Sequence, residues 1–373
     1  MHSRKLYTKL FAIFFTGLAI RVLVGLQGIH GTDILAHVEG ARSFLLTGSP
    51  YCLANYSYPP LYSAIQSIGI IIFGWNVIGY KFASILFDSL LAIAIFFVVR
   101  RFTGVENLAI ASSLLWALNP LAIVASAWYG LFDSIPALLS MLSIYTLSNL
   151  GATLSALLLS LGIIAKTYPL IYLPSNIAFL RSVDIKKALG YFAIVAVVSL
   201  CIECIFSFKC FERSLQNQFL FHIERLDKGL SLVPRIQYMS IASMVISMVA
   251  GLFIQRFLAD KGTSKDMALA ISVAFSTVLL VMLNPFIYPH YVIWFSPMVL
   301  AVFMILYKHR GVWISALYTL VLSAIGLLYW RFYRDASIIF IDSIALYITS
   351  LSMLIMITKK ILVKDKNLAN IKL

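Results

Sequence analysis

Apolar stretches recur from one end of this chain to the other, at 8–26, 61–74, 77–99, 107–127, 131–148, 151–165, 168–180, 188–207, 237–255, 267–284, 290–306, 312–330 and 338–358. Most approach the roughly 20 residues that cross a hydrocarbon core as a helix. They lack the alternating pattern of a membrane barrel, and within lipid the backbone must satisfy itself, so helices are expected. With 61% hydrophobic and 12% charged residues, the chain lies far from water-soluble domains, which run at about a quarter charged. The reading is an all-α, polytopic membrane protein with a bundle of about twelve spans. It forms one integral-membrane domain over 1–373, without a repeat or a separate soluble domain. Arg21 inside the first stretch, with no small-residue cleavage site after it, argues for a retained span.

The net charge of +14 is topological. Basic residues gather at Arg4, Lys5 and Lys9, at Arg100 and Arg101, and at Arg181, Lys186 and Lys187. Further groups are Arg256, Lys261 and Lys265, then Lys308 and Arg310, then Lys359 through Lys372. If the N-terminus is cytoplasmic and 61–74 lies on or dips into the membrane surface, every cluster falls on the cytoplasmic side. If 61–74 crosses, every later loop inverts. Membrane lipids are therefore the expected surroundings, and nucleic acid is not an expected partner.

On this topology the unusual chemistry collects on the external or lumenal face. A polar loop at 27–60, which includes interfacial helices, follows the first span and carries Asp33, His37, Glu39, Arg42, Gly48-Ser49-Pro50-Tyr51 and Tyr58-Pro59-Pro60. The same face receives Trp128 through Asp133, Lys166-Thr167-Tyr168-Pro169, a loop at 208–236, and Asn284 through Tyr291. One site assembled from several loops is expected.

Each candidate also has a structural reading. Asp33 beside lipid suits general-base work, since desolvation raises a carboxyl pKa; Thr32 or Asp33 can equally cap the helix that follows. Tyr58 can anchor at the interface or stack on a sugar ring. Asp133 and Lys166 are charges at the mouths of spans, where ionisable groups point to function, although Lys166 can snorkel to headgroups. His222 and Arg225 suit a phosphate at the membrane surface, or simply attract headgroups. His290 opens a span beside Tyr291 and Trp294. Asp88, mid-span, reads as a helix–helix hydrogen-bonding residue, with a proton relay as the alternative. Cys201 and Cys204 read as small apolar packing; Cys52 and Cys210 fall on one side and can pair. Asn55-Tyr56-Ser57 is a glycosylation sequon, a weak motif.

These motifs carry a resemblance. Asp33, then Ala41-x-x-x-Leu45-x-x-Gly48-Ser49-Pro50-Tyr51, then Tyr56-x-Tyr58-Pro59-Pro60-Leu61 resembles the first external loop of polyprenol-phosphate-dependent mannosyltransferases. These are membrane glycosyltransferases of the GT-C type. Asn119-Pro120, Gly130-x-x-Asp133, Lys166-x-Tyr168-Pro169 and Asn284-Pro285 through Tyr291-x-x-Trp294 follow in the family's order. The resemblance implies a GT-C-like bundle that moves a hexose, usually mannose, from a polyprenyl or dolichyl phosphate to a lipid-linked or glycan acceptor with inversion. It implies Asp33 as general base and no cofactor. Lys166, His222 and Arg225 become candidates for the donor phosphate, and Tyr58, Asp133, Tyr168 and His290 for substrate contacts.

There are departures. Leu131 stands where the family often has Gln, and His290 stands where a Gln often precedes Tyr-x-x-Trp. The related first mannosyltransferases of GPI-anchor synthesis carry paired acids in the first loop. Here Ile34 and Leu35 follow Asp33, so no metal site is expected. The rival readings are a glycolipid transporter or flippase, and a non-catalytic subunit of a glycan-assembly complex. The membrane is the ER membrane or the plasma membrane of an archaeon or bacterium, with the site on the external or lumenal face.

Overall fold

The structure, a computed structural model, describes residues 2–31, 33–149, 151–220, 229–233 and 238–369. Among these residues the regular elements are all helices, with one isolated parallel bridge between Gly229 and Ile287. His222 and Arg225 lie outside the described residues. The chain divides into two compact units: residues 1–94, 116–170 and 189–227, and residues 95–115, 171–188 and 228–373.

The first unit begins with α1 (His2–Gly25), the polar loop, α2 (Asp33–Thr47) and α3 (Leu61–Phe73). Pro60 precedes α3, where a fixed φ favours a helix start. At 13 residues α3 is roughly 20 Å long, short of a hydrocarbon core of about 30 Å. It packs on α2. α4 (Val77–Thr103) leads into α5 (Glu106–Ala117), residues 95–115 of this stretch belonging to the second unit; the first resumes through α6 (Pro120–Ile123), which runs into a π turn at Val124–Trp128.

The break between α5 and α6 follows from Asn119-Pro120. The helical donor for the Trp116 carbonyl would be the nitrogen of Pro120, which has no hydrogen. The donor for the Ala117 carbonyl, Leu121 N–H, is taken at 3.0 Å by the Asn119 side chain, which caps α6. Arg21 donates to both carbonyls, the Trp116 oxygen also accepting from Asn119 N–H at 3.0 Å. Its Nη1 reaches the Ala117 oxygen at 2.8 Å and its Nη2 the Trp116 oxygen at 3.4 Å. Its Nε donates to Asp88 Oδ2 at 2.7 Å. Asp88 also accepts from Trp116 Nε1 at 3.0 Å and from Ser126 Oγ at 2.8 Å. Arg21 and Asp88 are both fully buried. Asp88 is thus the interhelical hydrogen-bonding residue that its mid-span position predicts.

The unit continues with α7 (Ser134–Asn149) and α8 (Ala152–Ala165), which pack along each other. Ser143 Oγ and Ser155 Oγ meet at 3.0 Å between them.

In the second unit a 3-10 turn ends at Tyr172 and leads into α9 (Leu173–Arg181); α10 (Ile185–Ser207) follows, and from Leu189 on it belongs to the first unit. A short α11 (Phe211–Leu215) also belongs to the first unit, and the second resumes with α12 (Met239–Asp260) and α13 (Lys265–Leu283). A turn at Pro289–Tyr291 opens α14 (Val292–Tyr307), followed by α15 (His309–Phe332) and α16 (Ala336–Ala369). Helices α12 and α13 pack closely, with Ser272 Oγ donating to Gln255 Oε1 at 2.9 Å.

The expected count of about twelve spans is not reached by length and composition. Among the described residues, 8 helices are long and apolar enough to cross, or up to 9 with the bent pair 106–117 and 120–128 taken as one. The remaining expected spans fall on helices of 16, 14 and 9 residues, α7, α8 and α9. Cys201 and Cys204 are exposed on α10, not packed.

Candidate functional site

The first unit gathers Tyr58, Asp133 and Lys166 from three separate stretches. Gly130 makes the turn into Phe132 and Asp133, with φ of +69°. An added Cβ there would lie 2.5 Å from Ile34 Cδ1, so only glycine admits this approach. Asp133 then sits ahead of α7, and Lys166 is the extended residue that ends α8. Their side chains meet, Lys166 Nζ to Asp133 Oδ1 at 2.5 Å, with relative exposures of 9% and 1%. A lysine so placed does not snorkel outward; it is held inward by the carboxylate.

Aromatic rings wall this pair. Lys166 Nζ lies 5.1 Å from the Phe132 ring centroid and 5.6 Å from that of Tyr58, within cation–π range. Phe132 stacks on Tyr62 at 4.1 Å. Buried His37 points into the same cluster, 5.0 Å from both Tyr62 and Phe132 and 5.2 Å from Tyr58. Gly40 on α2 lets Tyr56 approach, because an added Cβ would clash with its ring.

Asp33 opens α2 with its side chain exposed. Its possible capping partner, Thr32, is outside the described residues. His37 is four residues on, so the two share one face of the helix. Asp33 therefore stands one turn from the aromatic cluster. The neighbouring loop stacks on the 128–133 tract, with His30 parallel to Trp128 at 3.7 Å. Burial, then the nearby Lys81 ammonium, holds the His30 pKa below its ordinary value.

Tyr168 is buried in the first unit. His290 belongs to the second, buried in the turn before α14 and stacked 5.7 Å from Tyr288. Around it, Leu230 N–H donates to the Ile287 carbonyl at 2.6 Å and Ser231 Oγ to the Asn284 carbonyl at 2.7 Å.

A second anchor holds the far end of the polar loop. Cys52 and Cys210 form a disulfide. Around it Lys209 Nζ donates to the Thr47 carbonyl at 2.9 Å, Asn217 Nδ2 to the Ala54 carbonyl at 3.3 Å, and Arg213 to the Cys52 carbonyl. Glu203 accepts from Tyr51 Oη at 3.3 Å, Ser207 Oγ at 2.6 Å and Gln218 Nε2 at 2.6 Å. Burial first, then the Glu203 carboxylate, pushes the Tyr51 phenol far above its ordinary pKa.

Sequence reasoning named His37 in the polar loop without giving it a role, and passed over Glu203 and Lys81. His37 had a signal, its i+4 spacing from Asp33; Lys81 had one too, as a charge inside an apolar stretch. Among the described residues no three His, Cys, Asp or Glu side chains gather as metal ligands.

No protein-family model matches the chain. Curated relatives do. It is 29% identical over 206 residues to GPI mannosyltransferase 1 of Candida albicans, covering 50% of each chain. It is 34% identical over 154 residues to GPI mannosyltransferase 1 of Eremothecium gossypii, covering 40% of this chain and 37% of that one. It is 28% identical over 212 residues to the GPI alpha-1,4-mannosyltransferase I catalytic subunit of Danio rerio, covering 52% of each. The match thus spans about half the length of these relatives. In fold it resembles ArnT from Cupriavidus metallidurans, with TM-score 0.58 at 13% identity, over 97% of this chain and 78% of that one. ArnT solved with undecaprenyl phosphate aligns at TM-score 0.55 and 12% identity, over 96% of this chain and 77% of that one. Over about half its length the chain is thus similar in sequence to GPI mannosyltransferases, and it shares its fold with ArnT.

Proposed function

We propose that this chain is a membrane glycosyltransferase that moves a hexose, mannose first among candidates, from a polyprenyl or dolichyl phosphate to a lipid-linked or glycan acceptor. The observation that carries this reading is its relationship to mannosyltransferases. The buried Lys166–Asp133 pair beside the Asp33 helix supplies a site with suitable chemistry. An acceptor hydroxyl attacks the anomeric carbon from the face opposite the phosphate, and the configuration inverts. The carbon–oxygen bond to the phosphate breaks, its electron pair leaves with the lipid phosphate, and Asp33 takes the hydroxyl proton. Lys166, with His222 and Arg225, meets the charge that develops on the leaving group. Tyr58, Asp133, Tyr168 and His290 contact the sugars.

The site faces the outside of the cell or the ER lumen. A disulfide on the loop that carries the site agrees with an oxidising compartment. Transport is the weaker reading. Its path would need free polar groups along the spans, and the mid-span charges Arg21 and Asp88 are spent on each other and on the α5–α6 break.

The test is transfer by the purified protein in nanodiscs, with radiolabelled mannosyl polyprenyl phosphate and a membrane-lipid extract as acceptor source. GDP-mannose serves as the competing donor. Label should pass from the lipid donor and not from the nucleotide sugar. Transfer from the nucleotide sugar alone, or from neither donor, would overturn the proposal.

A further inference from the structure

We propose that Lys81 is a positioning residue, the joint that fixes the Asp33 loop against the Trp128–Asp133 tract. The inference rests on the role given to Asp33 above, and adds a residue to it.

Lys81 lies one turn into α4 and is fully buried. Its ammonium has three donors, and each meets a backbone carbonyl: Gly25 at 3.3 Å, Gly28 at 2.5 Å and Trp128 at 2.8 Å. Gly25 is the last residue of α1, whose closing carbonyls lack helical donors. Gly28 lies in the loop that leads to Asp33. Trp128 closes the π turn that leads to Gly130 and Asp133. One buried cation therefore joins the end of α1, the loop that follows it and the end of the π turn.

The stem of Lys81 takes part as well. A Cβ on Gly130 would lie 3.2 Å from Lys81 Cγ and 2.5 Å from Ile34 Cδ1, so Lys81 and the residue after Asp33 press on one glycine. One turn along α4, Ser84 Oγ donates to the Gly130 carbonyl at 3.0 Å. At the other side, a Cβ on Gly25 would come within 2.9 Å of Ile85 Cδ1. The end of α1, the start of α2 and the 128–130 turn are thus all registered on the first turns of α4.

A buried ammonium is costly unless every donor is met. An apolar side chain of similar length would fill the same space without that cost, but would leave three carbonyls unpaired and the loop untied. The arrangement makes sense where the position of the loop matters. A base displaced by about 1 Å can lose on the order of a hundredfold in rate.

The experiment uses the full chain in nanodiscs, with Lys81→Met and Lys81→Gln. The glutamine amide keeps two donors without charge, so one variant remains readable if the other fails to fold. Hydrogen exchange by mass spectrometry should rise about tenfold or more over 26–31 and 128–130, with the middle of α1 and α4 protected as in wild type. With mannosyl polyprenyl phosphate as probe, kcat should fall roughly ten- to a hundredfold while the donor KM stays within about twofold. Unchanged exchange over 26–31 would overturn the proposal. So would exchange that rises evenly along α1 and α4, or failure of both variants to fold, since Lys81 would then serve packing at large. The exchange pattern does not depend on transfer. A wild type that transfers nothing counts against the proposed function alone.

Discussion

Asp133 and Lys166 form a buried ion pair at 2.5 Å, drawn from opposite ends of two antiparallel neighbours in sequence, α7 and α8. A buried pair is not in itself a source of stability, because both ions are desolvated. Removing one partner is a different matter, since the other is left charged and buried.

Asp133→Asn and Lys166→Met should therefore each destabilise the protein by about 3–5 kcal/mol. The double variant should lose clearly less than the sum, and a double-mutant cycle on unfolding in detergent measures the difference. Additive losses would show that the two groups are not coupled.

The disulfide joins the polar loop to the segment after α10 across a sequence separation of 158 residues. Cys52→Ser with Cys210→Ser should lower stability by about 2–4 kcal/mol. A membrane-impermeant reductant should reproduce the loss only from the external or lumenal side of sealed vesicles. Equal reduction from the other side would reverse the proposed orientation.

His30 ties the fold to pH. Its pKa is lowered by burial and then by Lys81. While the fold keeps it neutral, the unfolded chain takes up a proton below about pH 6.5. Its contribution is complete above that pH and is lost as pH falls through the depressed folded value. His30→Gln should flatten the decline of the unfolding temperature with acid in that window. An unchanged slope would remove His30 from this role.

The all-helical membrane fold was legible because lipid leaves few alternatives and apolar length is counted directly. The number of spans was not. α7, α8 and α9 are apolar but short, and the Asn119-Pro120 break divides a stretch that hydropathy reads as continuous. In the site, Asp133 and Lys166 stood out as isolated charges, yet their pairing depends on how α7 and α8 pack, which spacing does not encode. Cys52 and Cys210 were on the right side to pair; the geometry came only with the fold. Lys81 was hidden inside a long apolar run, where its carbonyl partners come from distant segments. Ile34 and Leu35 after Asp33 argued only against a two-carboxylate metal site, and the similarity to GPI mannosyltransferases came from the comparison of whole stretches of sequence.

In the proposed reaction Asp33 takes the acceptor proton. The most direct measurement is sugar transfer from mannosyl polyprenyl phosphate by wild type and Asp33→Asn, purified side by side in nanodiscs. Asp33 is exposed at the start of α2, so the substitution should leave the unfolding temperature nearly unchanged. Turnover should fall by a factor of about 10²–10⁴ with donor affinity retained. Equal transfer by the two proteins would contradict that role.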